Sequence, residues 1–220
     1  MGQSNSRAPN LDTIYQRYLN DQESAKFIKR VAAAYTIGTL ERLAEFGQRN
    51  SRRAATMVLG FLGDYSSNDV LGRRLNDADR GVRLLAENGI RELWCRDGSD
   101  AQRQTLRIIM RLNGSERPAI AARMASELID AAPSFAEAWN QRAIAHFQRG
   151  RFNDSANDCF QTLELNPYHF AAAVGMGQCY LELNEPLASL DAFRRALNLY
   201  PDLEDVRAQV AYLERALEGR

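Results

Sequence analysis

The chain has 220 residues, which is enough for a substantial core in one or two domains. Its composition, 45% hydrophobic and 25% charged, is typical of a globular protein that stays in solution. Basic and acidic residues number 28 each, so the net charge favours neither a nucleic-acid nor an anionic-membrane partner. No segment approaches the apolar length of a membrane span, about 18 residues, so we expect none.

The polar residues 1–9 predict a disordered tail. The same stretch also fits the short pattern for N-myristoylation at Gly2, which we consider the weaker alternative. Residues 10–33 are predicted to form two capping helices, the second with Phe27 and Val31 turned inward. The first helix has one apolar face with helical spacing, formed by Leu11, Ile14, Tyr15, Tyr18 and Leu19.

A second pattern repeats within residues 34–97, with each member displaced by the same interval. It pairs Arg52, Ala55, Leu59 and Leu62 with Arg83, Ala86, Ile90 and Leu93. Asp77 and Asp79 are predicted to cap the following helix, which explains them better than a metal cluster with Asp64. Gly60 and Gly63 are expected at a helix end and tight turn.

Two stretches of this region carry a family resemblance. Leu75–Arg83 resembles the turn and second-helix start of a HEAT repeat. Leu59–Asp64 looks like the end of a short HEAT-like unit, the variety found in phycobilin lyases. The resemblance implies HEAT-like repeats over residues 34–97.

Proline recurs at a constant interval in the last part of the chain, at Pro133, Pro167 and Pro201. A 34-residue period closed by proline is typical of stacked helical hairpins. Small residues share the period, at Ala143, Gly177 and Ala211. Residues 97–100, Asp-Gly-Ser-Asp, form a turn-like break, and we place the boundary between the two arrays there.

The hairpins over residues 101–220 resemble the tetratricopeptide repeat family. The resemblance rests on the proline spacing and on the family's pattern of an aromatic and a small residue in the first helix of a hairpin, as at Trp139 and Ala143. Together the two resemblances imply an all-α, right-handed α-solenoid, in which a HEAT-like array precedes a tetratricopeptide array that ends in a capping helix. The departures from the family pattern are Arg142, Ser155, Ala173 and Ser189.

The tetratricopeptide resemblance implies that first helices line a concave groove holding an extended or helical peptide. The residues expected to face it are Asn140, Ile144, Phe147, Gln148, Val174, Gln178, Leu181, Ala208, Gln209 and Tyr212. Family members that clamp the terminal carboxylate of chaperones use lysine, arginine and asparagine. The corresponding residues here are Asn140, Ile144, Gly175, Asp205 and Gln209. A chaperone C-terminus is therefore not the expected ligand.

The sequence contains no recognisable catalytic constellation, glycine-rich phosphate loop or metal-ligand spacing. His146 is expected to pack, and His169 to be solvated in a turn. Cys95, Cys159 and Cys179 are expected to be free thiols in a reducing, cytoplasmic setting. We therefore predict a protein that is not an enzyme and needs no cofactor and no metal.

One concentration of basic residues occurs in the first half of the chain: Arg49, Arg52, Arg53, Arg73 and Arg74. It could contact DNA, but nearby acidic residues favour a salt-bridged or solvated helix face. No nucleic-acid partner is predicted.

These features predict a non-enzymatic adaptor or scaffold that holds a partner peptide or helix in a solenoid groove. Two alternatives stay open: a HEAT-like lyase or small-ligand protein of the phycobilin-lyase type, and a structural homo-oligomer. The groove residues could also pack against the cap or a second copy of the chain.

Overall fold

The computed structural model describes residues 10–115 and 117–218, and within them it contains thirteen α-helices, one short 3-10 turn and no strand. The all-α prediction is confirmed. The predicted tail over residues 1–9, with the candidate lipidation site Gly2, lies outside the described residues. The helices are α1 (Leu11–Asp21), α2 (Ser24–Ala34), α3 (Ile37–Phe46), α4 (Arg49–Leu62), α5 (Asn68–Arg74), α6 (Arg80–Trp94), α7 (Asp100–Gly114), α8 (Pro118–Ala131), α9 (Ala136–Gln148), α10 (Phe152–Leu165), α11 (Phe170–Glu182), α12 (Pro186–Leu199) and α13 (Glu204–Glu218).

The chain divides into two compact units between Leu93 and Trp94. The finer division into caps, HEAT-like repeats and tetratricopeptide repeats stays a prediction. Among the described helices, none is both long and apolar enough to cross a membrane.

In the first unit, α1 and α2 bury the apolar faces that their spacing predicts. Leu11, Ile14 and Tyr15 are buried, as are Phe27 and Val31. Leu19 is the exception, because it is 41% exposed at the end of α1.

Two glycines let α4 and α6 cross at very short distance. A methyl group added to Gly60 would lie only 2.7 Å from the Cα atom of Gly89, and the reverse substitution meets the same contact. Gly60 lies in the last turn of α4, close to the expected helix end, and it also forms this crossing. Gly63 does follow the end of α4, as expected.

The turn before α6 is built from aspartates that serve two purposes. Asp77 accepts the backbone N–H of Asp79, and Asp79 accepts that of Val82, so both cap free backbone donors as predicted. Arg52 makes two hydrogen bonds to Asp77, and Arg53 makes two to Asp79. These forked pairs tie α4 to the turn.

Most of the other arginines in the predicted group of basic residues form ion pairs as well. Arg73 pairs with Glu45, and Arg74 binds the carboxylate of Asp77. Four of the five predicted arginines therefore belong to ion pairs, which leaves little charge to hold a phosphate backbone.

The second unit is a series of antiparallel hairpins, α7–α8, α9–α10 and α11–α12, closed by α13. The family's alanine is replaced by serine at matching positions of two successive hairpins, and both serines have the same kind of partner. Ser155 donates to the carbonyl of Ala143 at 2.8 Å, and Ser189 donates to the carbonyl of Gly177 at 2.8 Å. Each buried hydroxyl is thus satisfied across its own hairpin.

Arg142, where the family usually has leucine, is held by a carboxylate on the next helix. Its guanidinium makes two hydrogen bonds of 2.8 Å to Asp158 and one of 3.0 Å to Ser126. The same group lies 4.8 Å from the ring centroid of Trp139. Helices α8, α9 and α10 are therefore joined by one polar cluster at a position where the family usually has an apolar residue.

We predict that Gly60→Ala lowers the free energy of unfolding of the first unit by about 2 kcal/mol, because the new methyl overlaps backbone that cannot move without separating α4 and α6. Urea denaturation followed by circular dichroism measures this. The matched control is Gly38→Ala in α3, whose methyl meets nothing within 4 Å and should be neutral or stabilising by up to about 1 kcal/mol. Equal effects of the two substitutions would contradict the close crossing.

We predict that Asp158→Asn lowers the free energy of unfolding by about 3 kcal/mol, because it leaves the largely buried Arg142 without its charge partner. Replacing both residues, as Arg142→Leu with Asp158→Ala, should recover most of that loss, since no unpaired charge remains. A double-mutant cycle by urea denaturation measures the coupling. Strictly additive losses would show that the pair does not act as a unit.

Candidate functional site

The ten residues predicted to face a groove lie on three first helices, α9, α11 and α13. Six of them are exposed: Ile144, Gln148, Gln178, Ala208, Gln209 and Tyr212. Three are half-buried: Phe147, Val174 and Leu181. Asn140 is buried, and its amide donates to Glu137 at 3.0 Å. Asn140 therefore lies beneath the exposed face and is not part of it.

One row of exposed side chains runs along the first helices at matching positions of the repeat. Met110, Ile144, Gln178 and Tyr212 are each one repeat period apart and form what we call the open row. Ile144 is 37% exposed and Tyr212 is 63% exposed. Met110 was not among the predicted groove residues, which begin on α9, although the repeat period extends to α7.

A second set of matching positions shows a gradient of burial along the same helices. Leu106 on α7 is fully buried and Asn140 on α9 is 7% exposed. Val174 on α11 is half-buried, and Ala208 on α13 is exposed. At this set of positions, therefore, exposure increases from α7 to α13.

The buried carboxylate of Glu137 is the centre of a hydrogen-bond network that begins on α9. Its Oε1 accepts hydrogen bonds from Asn140 at 3.0 Å and from Gln141 at 2.8 Å. Its Oε2 lies 2.9 Å from Nε2 of His169. Three donors on two helices therefore converge on one carboxylate that is 5% exposed.

The expectation that His169 is solvated is wrong, because the residue is fully buried. It caps α11, where Nδ1 accepts the backbone N–H of Ala172 at 3.0 Å. Since Nδ1 is an acceptor, the ring hydrogen is on Nε2 and is donated to Glu137. No local pattern in the sequence predicts this pair, because its members belong to neighbouring first helices.

Electrostatics favour the charged form of this carboxylate. Burial raises the pKa of Glu137, but the hydrogen bonds from His169, Gln141 and Asn140 outweigh burial and hold the pKa below its ordinary value. The network continues through Gln141, whose two oxygens accept from Asn113 at 2.9 and 3.0 Å. It thus joins α7, α9 and α11.

An indole covers this network. Trp94, the first residue of the second unit, stacks on the His169 ring with centroids 3.9 Å apart and planes inclined by 18°. The Trp94 ring also lies 5.4 Å from that of Phe170. Trp94 is 3% exposed, so the stack is closed to solvent.

The remaining histidine and two of the cysteines are largely shielded from solvent. Burial lowers the pKa of His146, which lies beside Asp158. Cys159 and Cys179 are free and buried. Their mutual hydrogen bond lowers the pKa of Cys179 to about 7 and raises that of Cys159. Among the described residues, no group of three or more His, Cys, Asp or Glu could hold a metal ion.

We predict that Glu137→Gln lowers the free energy of unfolding at pH 7 by about 3 kcal/mol, because a glutamine cannot accept three donors as the carboxylate does. The folded pKa of Glu137 lies below its ordinary value of 4.5. Its stabilisation is therefore complete above pH 4.5 and is lost as the pH falls toward the folded pKa. The variant should consequently lose less stability than the natural chain on acidification.

Urea denaturation between pH 7 and pH 3 measures this dependence. Glu164→Gln, at an exposed carboxylate of α10, is the matched control and should leave the profile unchanged. Parallel profiles for the natural chain and Glu137→Gln would contradict a charged Glu137.

Residues 111–164 match the family model described as tetratricopeptide repeat. A TPR repeat-containing protein of Rhizobium etli is 29% identical over 147 residues, which cover 67% of this chain and 71% of that protein. Sperm-associated antigen 1 of Rattus norvegicus is 30% identical over 84 residues, which cover 38% of this chain and 9% of that protein.

Among solved structures, the first TPR of Spaghetti (RPAP3), bound to the HSP90 peptide SRMEEVD, superposes with a TM-score of 0.53. The two sequences are 19% identical, and the match covers 55% of this chain and 96% of that chain. The HEAT-like resemblance over residues 34–97 has no counterpart in these matches and stays a prediction. Residues 111–164 are thus similar to tetratricopeptide repeats, and part of the chain shares the helical-hairpin fold of a solved tetratricopeptide solenoid.

Proposed function

We propose that this chain is a protein-interaction adaptor that binds an extended or helical segment of a partner protein on the first-helix face of its second unit. The observation that carries the proposal is the open row. Its four side chains, at one position of successive repeats, are all exposed. Regularly spaced exposed side chains are what a bound peptide or helix needs along its length.

The chemistry of the row indicates the kind of segment that fits. Met110 and Ile144 offer apolar contact, Gln178 offers an amide donor and acceptor, and Tyr212 offers a ring and a hydroxyl. A segment with alternating apolar and hydrogen-bonding side chains matches this set. The shared fold of Spaghetti, solved with a bound peptide, supports the use of such repeats for peptide binding.

An acidic chaperone tail is not the proposed ligand. The positions that clamp a terminal carboxylate in the family hold Ile144, Gly175 and the exposed carboxylate Asp205 among others. Asp205 would repel an acidic tail, and the buried Asn140 has its amide committed to Glu137. The partner segment is therefore held by side-chain contacts along its length.

The adaptor is non-enzymatic in this proposal. The polar groups of the Glu137 network are buried and hydrogen-bonded to one another, which leaves them no access to a substrate. The buried free thiols Cys159 and Cys179 support the proposed reducing, cytoplasmic setting.

Photo-crosslinking in the native host tests this function. A benzophenone amino acid in place of Tyr212 should capture a reproducible partner segment, identified by mass spectrometry. Phe160 on α10, a 51% exposed aromatic on a second helix, is the matched control position and should not capture it. Gln178→Ala should weaken binding of the captured segment about tenfold through loss of hydrogen bonds. The same products at both positions, or none at 212, would overturn the proposal.

A further inference from the structure

Two thiols meet in the interior of the second unit, and the proposed binding face does not use them. Cys159 lies on α10 and Cys179 on α11, so they belong to neighbouring hairpins. Both are free, and they are 2% and 0% exposed. A hydrogen bond joins the two side chains. A single free cysteine often fills a core as a small apolar residue, but here two thiols are in contact with each other.

The neighbours of the two thiols hold the sulfur atoms in place. Cys179 donates its thiol hydrogen to Oγ of Ser155 at 3.1 Å, and Ser155 lies one turn before Cys159 on α10. On α11, Gly175 lies one turn before Cys179, and a β-carbon added to Gly175 would be 3.3 Å from Sγ of Cys159. Residues four apart in a helix share a face. These two contacts therefore fix all four residues as one patch across α10 and α11.

The two thiols differ in acidity. The hydrogen bond between them lowers the pKa of Cys179 to about 7 and raises that of Cys159. Near neutral pH, Cys179 is therefore partly thiolate, whereas Cys159 keeps its proton. A thiolate in contact with a protonated thiol is the combination in which one cysteine reacts with an oxidant and the other completes a disulfide.

A glycine leaves Cys159 with little cover on the side of the first helix. Gly175 is half-buried, and it has no side chain to lie over Sγ of Cys159. Gln178, three residues later on the same helix, is exposed. A small neutral oxidant such as hydrogen peroxide, which is close to water in size, can therefore reach the two sulfur atoms through local motion around this glycine.

We propose that Cys159 and Cys179 form a reversible intramolecular disulfide when the chain meets hydrogen peroxide, which makes this pair a redox-modification site. The Cys179 thiolate attacks one peroxide oxygen, the O–O bond breaks, and hydroxide leaves, so that Cys179 becomes a sulfenic acid. The hydroxide takes up the proton that Cys179 lost on ionisation, which gives one water.

The second step forms the S–S bond. The sulfur of Cys159 attacks the sulfur of the Cys179 sulfenic acid, and the S–OH bond breaks. The departing hydroxide combines with the thiol proton of Cys159, which gives the second water. Two thiols and one hydrogen peroxide thus yield one disulfide and two waters, since the sulfurs together lose the two electrons that the peroxide gains.

The disulfide would join the second helix of one hairpin to the first helix of the next. It would therefore fix α11, which carries Gln178 of the open row, covalently against α10. A disulfide stabilises a fold chiefly by restricting the unfolded chain, so the oxidised chain should unfold at higher urea concentration. In a reducing compartment the bond would be transient, because cellular thiol systems reduce it.

The test uses the full chain, first reduced and then treated with hydrogen peroxide under native conditions. Both cysteines belong to one tryptic peptide, residues 152–194, so a single mass reports on the pair. After denaturation in iodoacetamide, this peptide should carry two alkyl groups in the reduced chain. In the oxidised chain it should carry none and should be lighter than the unmodified peptide by two hydrogen atoms. Dithiothreitol before alkylation should restore both groups.

Three variants separate this pair from other oxidation. Cys95→Ser removes the remaining cysteine, which is half-buried, and as the matched control it should leave the result unchanged. Cys159→Ser should abolish the loss of two hydrogens. Gly175→Ala should slow disulfide formation severalfold, because its methyl group would cover Sγ of Cys159.

Two alkyl groups on the peptide from a folded, peroxide-treated chain would overturn the proposal and leave the pair as core residues. A disulfide that forms only in urea, a disulfide that includes Cys95, or oxygen added to either sulfur without loss of hydrogens would overturn it as well. An unchanged rate for Gly175→Ala would refute the approach beside the glycine. The measurement on the natural chain decides the main claim even if Cys159→Ser does not fold, and it involves no partner protein.

Discussion

The packing of helices in the second unit depends on one buried carboxylate, which must be surrounded by hydrogen-bond donors. Glu137 carries charge in a site with almost no solvent, and such a charge is tolerated only when donors surround it. The donors come from its own helix, through Asn140 and Gln141, and from the cap of the next first helix, through His169. The requirement therefore fixes how α9 and α11 sit against each other more strictly than apolar contact alone would.

Elsewhere, glycines and arginine–aspartate pairs with two hydrogen bonds each also fix one helix against its neighbours. In the first unit, Gly60 and Gly89 permit a crossing that any side chain would prevent, and Arg52 and Arg53 bind the aspartates of the turn that leads into α6. Each contact needs a particular residue type at a particular place, so each specifies one arrangement of the helices and disfavours the alternatives.

The repeat period made most of the helical architecture predictable, because proline spacing and apolar periodicity are local signals. The aspartate caps at Asp77 and Asp79 were also predictable, since capping acts within a few residues. The position of His169 was not, because its partner Glu137 belongs to a different helix and nothing near either residue announces the pairing. The crossing at Gly60 was not predictable for a related reason: a glycine near a helix end can also mark a close approach of another helix, and only that helix shows it.

The candidate site was predictable in part. The exposed members of the open row follow from the repeat period, whereas the burial of Asn140 beside Glu137 is a tertiary property that no single-sequence pattern reports. The family resemblance indicates which helices would line a groove, but it does not indicate which of their predicted residues are buried, as Asn140 is.

The buried hydroxyls of Ser155 and Ser189 have a consequence for how the number of repeats in such a chain can change during evolution. Ser155 and Ser189 each bond to a carbonyl within their own hairpin, so neither relies on a neighbouring repeat for its hydrogen bond. Duplication or loss of a whole hairpin during gene evolution would leave neither of these two hydroxyls without its carbonyl. At these positions the number of repeats, and with it the length of the solenoid, can change without a compensating substitution, whereas Glu137 and Gln141 need partners from neighbouring hairpins.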